Sequence, residues 1–220
     1  MAQAVIFDMD GVLADTEAYH FEAEMLICEE LEINISEKEV DSFVGLAIDK
    51  MWEKIKEKHN REEPLQYFID FDSIFRVNFF HSIAEEGGIA PIAGVKELIE
   101  GIKNQGLKTA VASSSHPDLI KIVLEASGLL HYFPFFLSGF QVKQGKPEPD
   151  IFLEAAARLG VKPEECVVIE DSYNGVTAAK KAGMKCIGFQ NPSSGFQNLS
   201  AADLVIKSFS EITPEFLKGF

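Results

Sequence analysis

Two kinds of apolar run alternate along the chain. Residues 4–7, 109–112, 135–137, 166–169, 185–189 and 204–206 are short and largely apolar, with little polar alternation. That pattern predicts strands buried on both faces, as in a parallel sheet. The stretches between them carry helical spacing. Over 16–31, Phe21, Met25, Cys28 and Leu31 mark one face, and Glu22, Glu24, Glu29 and Glu30 are expected to face water. Ser36, with Glu39 three residues on, reads as the capping box of a short helix. Met51, Ile55 and Lys58 continue a helical pattern, and 65–84 carries another, with Phe68, Phe71, Phe75 and Phe79 expected in its core. Past Gly87-Gly88 and Pro91, helices are predicted over 95–103, 117–127, 150–159 and 176–182, with a short one near Pro214. Pro117 suits a first helical turn with Ser115 or His116 near its start, and Gly160 suits a helix end.

Strands alternating with helices at this spacing predict an α/β fold, with a doubly wound parallel-sheet (Rossmann-like) core. The long helical stretch after the first strand leaves that core and returns to it. It is expected to form an inserted helical cap domain over 16–87, with the core over 1–15 and 88–220, hinged near 14–17 and 87–91.

The chain has 220 residues, 46% of them hydrophobic, enough for a sizeable core and a small second domain. Its 20 Lys+Arg against 35 Asp+Glu leave a net charge of −15. Such a surface repels a polyanion, so no nucleic acid partner is expected, although a local site could hold a small anion. Cys28, Cys166 and Cys186 have no metal-ligand spacing, and their odd number fits a reducing compartment. The apolar run at the start is too short for a signal peptide, and none reaches the roughly 18 residues of a membrane span. A soluble, cytoplasmic monomer with no membrane partner is expected.

Polar clusters follow the predicted strands: Asp8/Asp10, Ser113/Ser114 and Glu170/Asp171 directly, and Lys146 by a loop. In an open parallel sheet the carboxyl ends of the strands share one edge, where ligands bind. Crowded carboxylates call for a cation, and oxygen donors without Cys or His indicate Mg²⁺. Ser113, the amides at the following helix start and Lys146 would meet phosphate oxygens. The frames of a P-loop, a dinucleotide fingerprint and a serine-nucleophile elbow are all missing. A carboxylate beside Mg²⁺ can itself attack phosphorus.

These residues carry a resemblance. Phe7-Asp8-Met9-Asp10-Gly11-Val12-Leu13-Ala14-Asp15-Thr16-Glu17 resembles the first motif of the haloacid dehalogenase-like hydrolases, in their phosphatase and phosphomutase branch. Ser113 matches the second motif, Lys146 in Gly145-Lys146-Pro147 the third, and Glu170-Asp171-Ser172 the fourth. The resemblance spans the whole chain, cap included. It implies Asp8 as the nucleophile that becomes phosphorylated. It implies Asp10 as general acid, then base, with its main-chain carbonyl on Mg²⁺. Asp171 would be a further metal ligand, with Glu170 as ligand or close neighbour. Ser113 and the Ser114 amide would bind the phosphoryl oxygens, and Lys146 would neutralise charge on Asp8 and phosphate. The second Asp, Asp10, speaks against carbon–halogen cleavage.

Within that branch the chain is similar to β-phosphoglucomutases, sharing Asp15-Thr16 and His20. Those mutases carry a Lys just before a cap glycine and an Arg three residues after it. Aligned on Gly45, this chain has Val44 and Ile48, with Lys50 in another register. Neither Val44 nor Ile48 can pair with a second phosphate. Hydrolysis of one small monoester is therefore expected, of a sugar, polyol or glycolate. A phosphomutase and a catalytically idle phosphate-binding protein are the alternatives. His20 is a substrate-contact or hinge candidate, or else a boundary histidine. Glu17, Lys50, His116 and Asn174 are weaker candidates, and Trp52 or Phe43 could line the leaving-group pocket.

Overall fold

A computed structural model describes residues 1–43 and 46–220. Its strands are β1 (Ala4–Phe7), β2 (Lys108–Ser113), β3 (Phe136–Ser138), β4 (Cys166–Glu170), β5 (Lys185–Phe189) and β6 (Leu204–Ile206). Its helices are α1 (Glu17–Glu30), α2 (Glu37–Asp41), α3 (Ile48–Lys58), α4 (Leu65–Glu85), α5 (Val95–Asn104), α6 (Pro117–Ala126), α7 (Asp150–Leu159), α8 (Tyr173–Lys181) and α9 (Pro214–Gly219). The six strands form one parallel sheet in the order β3-β2-β1-β4-β5-β6.

The period-two alternation of a strand explains the layering. Ala4 and Ile6 of β1 face one apolar layer with Ile151 and Phe152 of α7 and Val176 of α8. Val5 and Phe7 face the other, with Ile99 of α5, Ile120 of α6 and Leu217 of α9. Helices on both faces leave the central strands no wet side, which is why they read as unbroken apolar runs. β1 pairs with β2 on one side and β4 on the other. The strand order reverses there, and a crevice opens at the carboxyl ends.

Helices α1–α4 lie between β1 and α5 and form the helical cap. Ile27, Cys28, Val40, Met51, Trp52, Ile55 and Phe68 make its apolar cluster. Trp52 stacks on Phe68 with ring centres 5.1 Å apart. Phe71 and Phe75 pack against this cluster, whereas Phe79 packs with Phe80 against the main core. The two chain crossings between cap and core meet where Ala14 bridges Pro91 and the Ile92 N–H donates to the Leu13 carbonyl (2.9 Å).

Three local expectations are corrected. Ser36 precedes α2 but makes no side-chain cap, because Glu39 is taken by Lys58 at the end of α3 and by His59 just past it. α8 starts at Tyr173 and is capped by the Ser172 hydroxyl, which accepts from the Gly175 N–H (3.0 Å), so Asn174 lies inside the helix. Glu24 does not face water: only 4% of it is exposed.

Candidate active site

Four strand ends and their following turns converge on one cleft. Asp8 follows β1, and the turn after it needs glycine at position 11. Gly11 has φ +71°, and a Cβ there would collide with the Asp171 carboxylate. Lys146 comes from the loop before α7 and is buried among the sheet ends. Its ammonium donates to Asp8 Oδ1 (2.5 Å), Glu170 Oε1 (2.7 Å) and the Ala112 carbonyl (2.9 Å). Burial alone would lower the Lys146 pKa, but the Asp8 and Glu170 carboxylates outweigh it and hold the ammonium charged.

Glu170 is fully engaged in holding that lysine. Its Oε2 accepts from the Ser172 N–H (2.8 Å) and hydroxyl (2.9 Å), and it lies so close to Gly175 that a Cβ there would overlap it. Asp171 accepts from the Ser194 hydroxyl. Burial, with Glu170 nearby, pushes both Asp8 and Asp171 well above the usual carboxylate range. Such a pair is short of positive charge. Among the described residues no group of three or more His, Cys, Asp or Glu side chains is arranged around a metal. Two buried carboxylates of raised pKa nonetheless fit Mg²⁺, which usually keeps several waters and takes one or two protein carboxylates plus substrate phosphate.

Asp10 is held differently. Its Oδ1 accepts from the Thr16 hydroxyl (2.7 Å) and faces His20 Nε2 (2.9 Å). Its Oδ2 accepts from the hydroxyls of Ser115 (2.7 Å) and Ser113 (3.3 Å). Burial would raise Asp10, but His20 and the hydroxyl donors lower it to about 2. Reciprocally, burial would lower His20, and Asp10 outweighs it and raises it. His20 therefore sits against the Asp10 carboxylate. Ser113 is buried beneath Asp10, and Ser114 is exposed in the cleft.

The cleft has two lobes that share Asp10, Glu17, Leu46, Ala47 and Ser114. The inner lobe, about 130 Å³, is lined by Asp8, Lys146, Glu170, Asp171 and Asn174. The outer lobe, about 260 Å³, lies between cap and core and is lined by His20, Glu24, Phe43, Ile48, Asp72, Arg76 and His116. Trp52 lines neither lobe: it is fully buried, with its indole N–H donating to Asp72 Oδ2 (3.3 Å). Lys50 is exposed and paired with Glu53 (2.8 Å). Val44 and Gly45, on which the comparison with mutases turns, lie outside the described residues.

Sequence reasoning missed Thr16 and Ser115 as anchors of Asp10, Ser194 on Asp171, and the Arg76–Asp72–Glu24 cluster. Asp72 and Arg76 stand four apart on α4, a pairing that charge patterning could have found.

A parallel α/β sheet with a helical cap over a lysine-bound aspartate and a second aspartate two residues on defines a class of phosphoryl-transfer enzymes. The family model of haloacid dehalogenase-like hydrolases matches residues 5–189, and the chain belongs to that family. It is 33% identical to hexitol phosphatase B of Escherichia coli (strain K12), over 98% of this chain and 96% of that one. It is 31% identical to β-phosphoglucomutase of Bacillus subtilis (strain 168), over 98% and 93%. The crystal structure of CbbY from Rhodobacter sphaeroides in complex with phosphate superposes with a TM-score of 0.83 at 28% identity, covering 96% of each chain. The chain is thus an enzyme of the phosphatase and phosphomutase kind, acting on a small phosphorylated metabolite. Among the described residues no helix is long and apolar enough to cross a membrane.

Proposed function

We propose that this enzyme is an Mg²⁺-dependent phosphomonoesterase that hydrolyses a sugar, polyol or glycolate phosphate through an aspartyl phosphate on Asp8. The observation that carries this reading is the contact of Lys146 with Asp8 (2.5 Å), beside an Asp10 carboxylate held by hydroxyls and His20. The inner lobe takes the phosphoryl group and the outer lobe the leaving alcohol. Asp8 attacks phosphorus, and the bond to the alcohol oxygen breaks. The Asp10–His20 pair holds a proton between its members and, through Asp10, delivers it to the departing oxygen. Asp10 then takes a proton from water, which attacks phosphorus and frees Asp8 and inorganic phosphate.

Lys146 and the Ser113–Ser114 turn offset the phosphoryl charge, and Glu170 keeps Lys146 aimed at Asp8. Mg²⁺, held by the Asp8 and Asp171 carboxylates and the Asp10 carbonyl, would supply further charge neutralisation. The cap, residues 16–87, acts as the lid that excludes water from the leaving group. The three cysteines are buried thiols, in keeping with a cytoplasmic protein.

Phosphate release across a panel of sugar, polyol, glycolate and nucleotide phosphates tests the reading. We expect release of one or a few small phosphates that EDTA abolishes and that Asp8→Asn reduces at least 10³-fold with folding retained, because the nucleophile is lost. Full activity of the Asp8→Asn protein contradicts it. The similarity to β-phosphoglucomutase supports a mutase as the second reading. Interconversion of hexose 1- and 6-phosphates without net phosphate release favours that reading.

A further inference from the structure

The outer lobe contains charged groups that phosphoryl transfer does not use. Arg76 of α4 donates to Asp72 Oδ1 (2.7 Å) and Oδ2 (3.0 Å), to Glu24 Oε2, and to the His20 carbonyl (3.0 Å). Glu24 of α1 is 4% exposed and lines the lobe, yet its Oε1 has no hydrogen-bond partner, the only such buried side-chain atom among the described residues. Leaving a buried carboxylate oxygen unpaired is costly. A ligand that donates a hydrogen bond there removes the cost.

The charge of the lobe narrows the ligand further. The carboxylates of Asp10, Glu17, Glu24 and Asp72 line it, and among the described residues no lysine does. The guanidinium of Arg76 is committed to Asp72 and Glu24, and His20 to Asp10. Neither of these cations is left to meet an anionic group on a substrate, and His116, the other basic side chain on the lobe, accepts from the Asp118 N–H through Nδ1 (3.3 Å).

We propose that Glu24 selects the leaving group: its Oε1 accepts a hydrogen bond from a hydroxyl of the departing alcohol. The enzyme then prefers monophosphates of neutral polyhydroxyl compounds and rejects those whose leaving group carries a carboxylate or a second phosphate. This rests on the phosphatase reading above and narrows its substrate class, setting glycolate phosphate aside. Arg76 acts through Glu24, holding its Oε2 and leaving Oε1 without a partner in a residue that lines the lobe. Burial pushes the Glu24 carboxyl up to about 7, so the acceptor is ionised at pH 8.

The test compares sorbitol 6-phosphate with 6-phosphogluconate at pH 8. The two differ at the far end of the chain, a CH₂OH in one and a carboxylate in the other. We expect wild-type kcat/KM to favour the polyol by at least about tenfold, as expected for one charge-assisted hydrogen bond gained or lost. Glu24→Gln keeps the shape and removes the charge. It is expected to shrink that preference about tenfold, mainly through KM for the polyol. A merely structural Glu24 would lower activity on both substrates alike and leave the ratio unchanged. Equal wild-type rates on the pair, or an unchanged ratio in the Gln variant, overturn the assignment and leave the phosphatase reading standing. Release from phosphoglycolate but from neither member of the pair also overturns it. No release from any phosphomonoester overturns both. The wild-type comparison decides the matter even if the variant fails to fold.

Discussion

In the proposed mechanism, proton delivery depends on the Asp10–His20 pair, in contact at 2.9 Å. Their coupling makes stability depend on pH in a defined way. Asp10 is lowered from its ordinary 3.8 to about 2, so its contribution is present above 3.8 and lost as pH falls through 2. His20 is raised above its ordinary 6.5, so its contribution is present below 6.5 and lost as pH rises through the raised value. Both contributions are complete between 3.8 and 6.5. His20→Gln should therefore destabilise the protein by about 1.5–3 kcal/mol at pH 5.5. The gap from wild type should narrow at pH 9, as read by urea unfolding at the two pH values. A gap that does not change with pH contradicts the ion pair. At this scale the sequence was informative where chemistry is written in short motifs. Asp8, Asp10, Lys146, Glu170 and Asp171 were legible because strand ends must converge in a parallel sheet. Glu24 was not: on a helix with acidic residues all round, spacing alone does not tell which one turns inward. Its partner Arg76 lies 52 residues away.

Helix α8 links local structure to the site. Ser172 caps it and, through the same residue, anchors Glu170, while Gly175 leaves room for that carboxylate. Helix propensity alone says Gly175→Ala stabilises by about 1 kcal/mol. Packing says the reverse, because the new methyl must displace Glu170 and loosen Lys146. We expect a net loss of about 1–3 kcal/mol in denaturant unfolding, with kcat/KM down at least about tenfold. An alanine variant that is more stable and equally active contradicts the role given to Glu170. Elements were read well where buried on both sides, as in β1 and β4. They were read less well in the cap, where Ser36 has its box partner drawn off by α3 and Phe79 joins the main core. Those outcomes depend on tertiary neighbours, which no local spacing encodes.

For the whole molecule, strand order brings the chemistry together. β1 and β4 are adjacent although Asp8, just past β1, and Glu170, the acidic carboxyl end of β4, are 162 positions apart in the chain. The reversal between them sets Asp8 beside Glu170 and Asp171, and the cap sets the polar α1–α4 cluster over the same cleft. On the proposed function, a chain with net charge −15 holds phosphate because Lys146 is buried among carboxylates that keep it charged, with Mg²⁺ expected at the remaining donors. In the proposed mechanism Asp8 carries the phosphoryl group in transit. Acid quench of the enzyme during turnover with Mg²⁺ and a hydrolysed substrate, followed by peptide mass spectrometry, tests it most directly. One phosphoryl group is expected on the peptide containing Asp8 and none on the same peptide of Asp8→Asn. Steady phosphate release with no phosphorylated peptide, and the same release from Asp8→Asn, would contradict it.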